Sequence, residues 1–81
     1  MYLVITYIDR KEVKRQIFPV NAVNIERTEK WINIYSLADN IVLGSFNMND
    51  SEIQVLRKES YIITAIHYIP EKKDLDINTR P

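Results

Sequence analysis

Residues 23–37 read VNIERTEKWINIYSL, and the register of this stretch decides the fold. Apolar and polar residues alternate on both sides of the turn Thr28-Glu29-Lys30-Trp31. Folding the segment symmetrically about that turn sets Ile25 opposite Ile34 and Arg27 opposite Ile32 on one face. The other face then carries the pairs Asn24–Tyr35, Glu26–Asn33 and Thr28–Trp31. A slip of one residue would mix apolar and polar side chains on both faces, so the alternation predicts an antiparallel hairpin in this register. The turn lacks an Asn-Gly or Asp-Gly pair, which leaves its type open.

The same period of two continues outward. Upstream, residues 2–8 are β-branched and aromatic on both faces, as in a central strand covered on two sides or clamped at a dimer contact. Asp9 to Glu12 form a polar turn, and residues 13–18 a second, more polar strand. Pro19 has no N–H to donate, so it ends that strand or lies on an edge. Downstream, Ala38-Asp39-Asn40 is a turn and residues 41–46 a strand. Gly44, the single glycine of the chain, lies inside it and signals a bulge or a close backbone approach. Residues 47–51 break the pattern. Asn49 or Asp50 is placed to cap a helix of about 50–58, with Ile53, Leu56 and Arg57 on one side. Tyr61 to Ile69 is a last strand, apolar on both faces, and Pro70 stops it.

This order predicts an α+β, mainly β domain over residues 1–70. It would be a small antiparallel sheet or roll, or a partly open barrel, of five to six strands with one short helix before the last strand. Residues 71–81 read as a flexible polar C-terminal tail. Sheet edges in so small a fold are often closed by self-association, so a homodimer or higher oligomer is expected.

Composition narrows the function. The 81 residues carry 11 Lys+Arg and 11 Asp+Glu, a net charge of zero, which argues against a generic polyanion binder. Without cysteine there is no thiolate metal site, disulfide or thiol nucleophile. No apolar run approaches the ~18 residues that span a bilayer. The apolar start has no basic flank or small-residue cleavage site and reads as a strand, so a cytoplasmic location is expected, with no membrane.

No nucleophile elbow, glycine-rich phosphate loop or His-Glu-x-x-His is present. The single histidine, His67, falls by alternation on the same side of the last strand as Tyr61, Ile63, Ala65 and Ile69, and reads as a partly buried or edge residue. The oxygen-bearing run Asn47 to Ser51 lacks the glycine and terminal glutamate of a calcium loop and fits a helix cap better. The chain is therefore expected to be no enzyme and to need no metal or cofactor.

Two binding surfaces remain. The polar face of the 23–37 hairpin offers Trp31 and Tyr35 as aromatic anchors, with Asn33 and Glu26 as orienting polar groups, the make-up of a protein interface. Arg10, Lys11, Lys14 and Arg15 cluster at the first hairpin and, with Trp31, could serve a single-stranded nucleic acid. Interleaved glutamates and the zero net charge make a protein partner the favoured reading, with nucleic acid possible but not favoured.

From Val20 to Glu59 the chain has an Asn/Ile strand, a charged turn, an Ile-x-Ile-Tyr strand, a strand ending in Ser-Phe, and an Asp/Glu/Ile helix start. In this it resembles small β-rich proteins of phages and mobile elements of AT-rich Gram-positive bacteria. It is also similar in element order to a small flagellar-operon protein. The resemblance covers about half the chain, carries no functional residues over, and implies an accessory protein with a regulatory or inhibitory role.

Overall fold

The computed structural model describes residues 1–70, and the tail expected at 71–81 lies outside the described residues. Six strands form two antiparallel three-stranded sheets. Sheet 1 has the order β2-β1-β6, built from β1 (Tyr2–Asp9), β2 (Glu12–Pro19) and β6 (Tyr61–Ile69). Sheet 2 has the order β3-β4-β5, built from β3 (Val23–Arg27), β4 (Trp31–Ser36) and β5 (Val42–Asn47). A short 3-10 turn over Val20–Ala22 carries the chain between the sheets, and α1 (Ser51–Arg57), the one α-helix among the described residues, precedes β6. The fold is thus mainly β and antiparallel, and no barrel closes.

β1 is a central strand, as its two apolar faces imply. Leu3 and Ile5 point from it into the gap between the sheets, and Val4 points to the opposite face between Ile17 and His67. Ile32 and Ile34 of β4 meet Leu3 and Ile5 in the core, joined by Phe18, Val23 and Phe46. Each such side chain taken fully out of water contributes roughly 1.5–3 kcal/mol before entropy is counted. The molecule is a slab of 37 × 35 × 18 Å, the thinnest dimension matching two sheets ~10 Å apart plus their outward side chains. Tyr7, Phe46 and Tyr61 pack as tilted and edge-on rings with centroids 5.7–6.4 Å apart.

The 23–37 hairpin has the register its alternation predicts, Ile25 on Ile34, Arg27 on Ile32, Asn24 on Tyr35 and Glu26 on Asn33. Its loop is Glu29-Lys30, closed by the Thr28 N–H donating to the Trp31 carbonyl at 2.8 Å. The Thr28 hydroxyl oxygen accepts from the Trp31 N–H at 3.0 Å, a side-chain bond that replaces the missing Asn-Gly chemistry. Pro19 both ends β2 and sits on an edge. Gly44 fulfils the bulge reading, since a register shift lies beside it; what approaches it closely is no backbone but the Phe46 ring, 2.8 Å from where a Cβ would stand.

One expectation is corrected. β6 carries a bulge at Thr64, where the register to β1 shifts between Thr6 and Tyr7. Tyr61 and Ile63 therefore face the core side, and Ala65, His67 and Ile69 the other, which separates His67 from the residues that plain alternation grouped with it. Helix α1 does not bury Leu56, which is 82% exposed. Polar bonds at both ends seat this helix instead, so only Ile53 and Gln54 are half-buried.

Candidate functional site

The outer face of sheet 2 is laid out in three rows across its strands. Asn24, Tyr35 and Val42 form the first row, Glu26, Asn33 and Ser45 the second, and Trp31 with Asn47 the third. The middle row is a continuous hydrogen-bonded ladder. The Ser45 hydroxyl donates to Asn33 Oδ1 at 2.7 Å, and Asn33 Nδ2 donates to Glu26 Oε1 at 3.0 Å. Asn33 therefore has one fixed amide orientation, and the Glu26 carboxylate is tied to it through one oxygen. Trp31 and Tyr35 stand on either side of that ladder, about 13 Å apart along β4 at ~3.3 Å per residue. All four hairpin residues singled out from the sequence, Trp31, Tyr35, Asn33 and Glu26, thus share one face.

Trp31 is half-buried because α1 reaches it. The Arg57 guanidinium lies 4.8 Å from the ring centroid, a cation–π contact, and its Nε is 3.3 Å from Glu59 Oε1. Sequence reasoning placed Arg57 on the helix but did not connect it with Trp31. The only available signal was its position in the last helical turn, one turn before the chain returns as β6.

A dense set of polar bonds positions that helix. Asp50 is the N-cap, accepting at 3.1 Å from the N–H groups of both Glu52 and Ile53. Its other oxygen lies 3.6 Å from Lys30 Nζ at the hairpin turn. The Ile53 N–H, followed by the Lys30 ammonium and the Glu52 N–H, holds the Asp50 carboxyl below the usual carboxylate range. The fully buried Asn47 accepts from the Asp50 N–H and donates to the Asp50 carbonyl. Asn49 pairs with both backbone groups of Ile63, and Gln54 donates to the Tyr61 carbonyl. Burial raises the Tyr61 hydroxyl above its ordinary pKa, with the nearby Glu59 carboxylate adding to the rise. The Asn47 to Ser51 run is therefore a cap and anchor, consistent with the sequence reading. Its additional role as a bracket on β6 came from long-range pairing that local pattern does not encode.

The basic residues of the first hairpin are spread out. Arg10 and Lys11 occupy the two-residue turn between β1 and β2. Lys14 and Arg15 are adjacent in β2 and so project to opposite faces, Lys14 beside Tyr7 and Arg15 beside Thr6. Lys14 lies 3.4 Å from Asp9, and Trp31 belongs to the other sheet. The four cations and Trp31 thus do not converge on one surface.

Among the described residues, no three His, Cys, Asp or Glu side chains are grouped to hold a metal ion. An open hollow of about 480 Å³ beside α1 is lined by Ser51, Glu52, Val55 and Leu56. No helix among the described residues is long and apolar enough to cross a membrane. No protein-family model, curated protein or solved structure matches the chain, so the site rests on its own geometry.

Proposed function

We propose that this chain is a small, non-catalytic protein-binding module with a regulatory or inhibitory role, and that the outer face of sheet 2 is its docking surface. One observation carries the reading. Trp31 and Tyr35 flank the hydrogen-bonded Glu26–Asn33–Ser45 ladder on one face, where α1 covers only the end at Trp31 and Asn47. Aromatic anchors beside polar groups of fixed orientation are what a specific protein interface requires, because little entropy is lost when a partner settles on them. The Arg57 guanidinium over Trp31 supports the same use. Stacked over the ring and paired with Glu59, it restrains the Trp31 side chain before a partner arrives.

The dispersed placement of Arg10, Lys11, Lys14 and Arg15 favours this reading over single-stranded nucleic-acid binding. The test is affinity capture from native lysate with and without nuclease, comparing the parent chain with Trp31→Ala and Tyr35→Ala. A stoichiometric protein that survives nuclease and binds the folded Trp31→Ala variant more weakly, by about 2 kcal/mol, is the expected result. Partners lost on nuclease treatment, or affinity unchanged in both variants, would sink the assignment.

A further inference from the structure

Among the described residues, the four free sheet edges are not equally protected. β2 carries Glu12, Lys14 and Arg15 and ends at Pro19. β3 has only five residues, two of them charged, and β5 has six, interrupted by a bulge next to Gly44. β6 has nine residues, Tyr61-Ile-Ile-Thr-Ala-Ile-His-Tyr-Ile69, with no Asp, Glu, Lys, Arg or Pro among them. Charge, proline and shortness all keep an edge from pairing, and β6 has none of these; its bulge at Thr64 and the amides that seat α1 protect only its first half.

The direction of its backbone groups follows from Pro19. That residue pairs with Tyr2 and has no N–H, so Tyr2 turns its backbone groups toward β6. Strict alternation then sends Val4, Thr6 and Ile8 to β6 as well, onto His67, Ala65 and Ile62. The backbone groups of Ile63, Ile66 and Tyr68 consequently point away from β1. Asn49 already fills both groups of Ile63, in agreement with this phase, and Gln54 fills the Tyr61 carbonyl. Before the bulge the edge is therefore closed by the amides that seat α1. Beyond it, Ile66 and Tyr68 have no such cover among the described residues.

We propose that this open half of β6 pairs with β6 of a second copy, antiparallel about a twofold axis through His67. In that register Ile66 of each copy faces Tyr68 of the other, and the two pairs exchange four N–H···O bonds. Every outward group beyond the bulge is used once. A twofold through Ile66 would set Tyr68 against the bulged Thr64 and leave groups unmatched. The strand carries no Asp, Glu, Lys or Arg, so the twofold brings no like charges from these side chains together, as self-pairing requires and a charge-reading partner would not. The result is one continuous sheet of six strands, β2-β1-β6 followed by its symmetry mate. This surface belongs to sheet 1 and is separate from the docking face of sheet 2.

Sedimentation velocity of the full chain over about a hundredfold concentration range tests the pairing. The expected species at high concentration has twice the chain mass. Tyr68→Pro removes an outward N–H while leaving the ladder to β1 intact, and should weaken association by more than about tenfold. His67→Lys, at an exposed position, sets two ammonium groups opposite each other at the axis and should weaken it by up to about fivefold. Circular dichroism checks that both variants fold, and the second keeps the test decisive if the first does not. Val55→Ser, on the exposed side of α1, should leave association unchanged. A monomer at every concentration would overturn the proposal and leave the edge to a foreign strand. Dimers that survive both β6 substitutions, or that dissociate with Val55→Ser, would overturn it by placing the contact elsewhere.

Discussion

Gly44 shows how one residue sets the shape of the core. Its missing Cβ is the space that the Phe46 ring occupies, and Phe18 stands just behind at 3.3 Å from the same point. Those two rings meet edge to face, with centroids 6.5 Å apart, and join sheet 1 to sheet 2. A methyl group at this position would push a buried ring out of a filled site. Gly44→Ala should therefore destabilise the fold by about 1–3 kcal/mol, read as a lower urea midpoint with unchanged slope. The sequence marks this position because a lone glycine inside an apolar strand has few other reasons to be there. It does not reveal which rings take the space, since that depends on contacts between strands far apart in the chain. Trp31 is a similar case. Its face was legible from hairpin alternation, whereas the Arg57 guanidinium above it was not.

Local rules were followed at the elements whose two faces differ in polarity. The 23–37 hairpin has a polar and an apolar face, so its register was legible. β6 is apolar on both faces, so nothing in its pattern fixes the phase, and the bulge at Thr64 went unseen. The β1–β2 turn broke the usual chemistry in another way. Arg10 and Lys11 both have positive φ, 52° and 69°, in a two-residue hairpin loop that asparagine and glycine fill more easily. Replacing them with Asn-Gly should stabilise the protein by about 1 kcal/mol and raise the thermal midpoint. The seat of α1 predicts a pH dependence. Asp50 ionises more easily folded than unfolded, and so does Asp9, where the Ser60 hydroxyl leads and Lys14 adds to the effect. Their contribution is complete above the unfolded carboxylate value near ~4 and is lost as pH falls through the lower folded values. Tyr61 is shifted the other way, so its contribution holds below its unfolded value and is lost as pH rises through the folded one. Urea midpoints should thus be flat near neutrality and decline at both extremes, and the Asp50→Asn variant should show a shallower acid decline.

Taken whole, the described residues bury nine large apolar side chains and leave twelve exposed. The division into two sheets was not legible from the sequence. Neighbouring strands announce themselves by a turn, but the pairing of β1 with β6 spans nearly the full described length. Such distant pairing must wait for loop closure, so refolding should take milliseconds to seconds and not microseconds. Stopped-flow fluorescence of Trp31, the only tryptophan, should report it as a single exponential. The same pairing has a consequence for covalent continuity. The backbone between β2 and β6 can be cut once at any exposed loop, and the two pieces still share sheet 1, one supplying β1 with β2 and the other β6. A break within Ala38 to Ile41 also leaves β4 and β5 on separate pieces that pair across sheet 2. Two fragments made apart should therefore find each other and restore the native slab, with each sheet acting as a clasp between them.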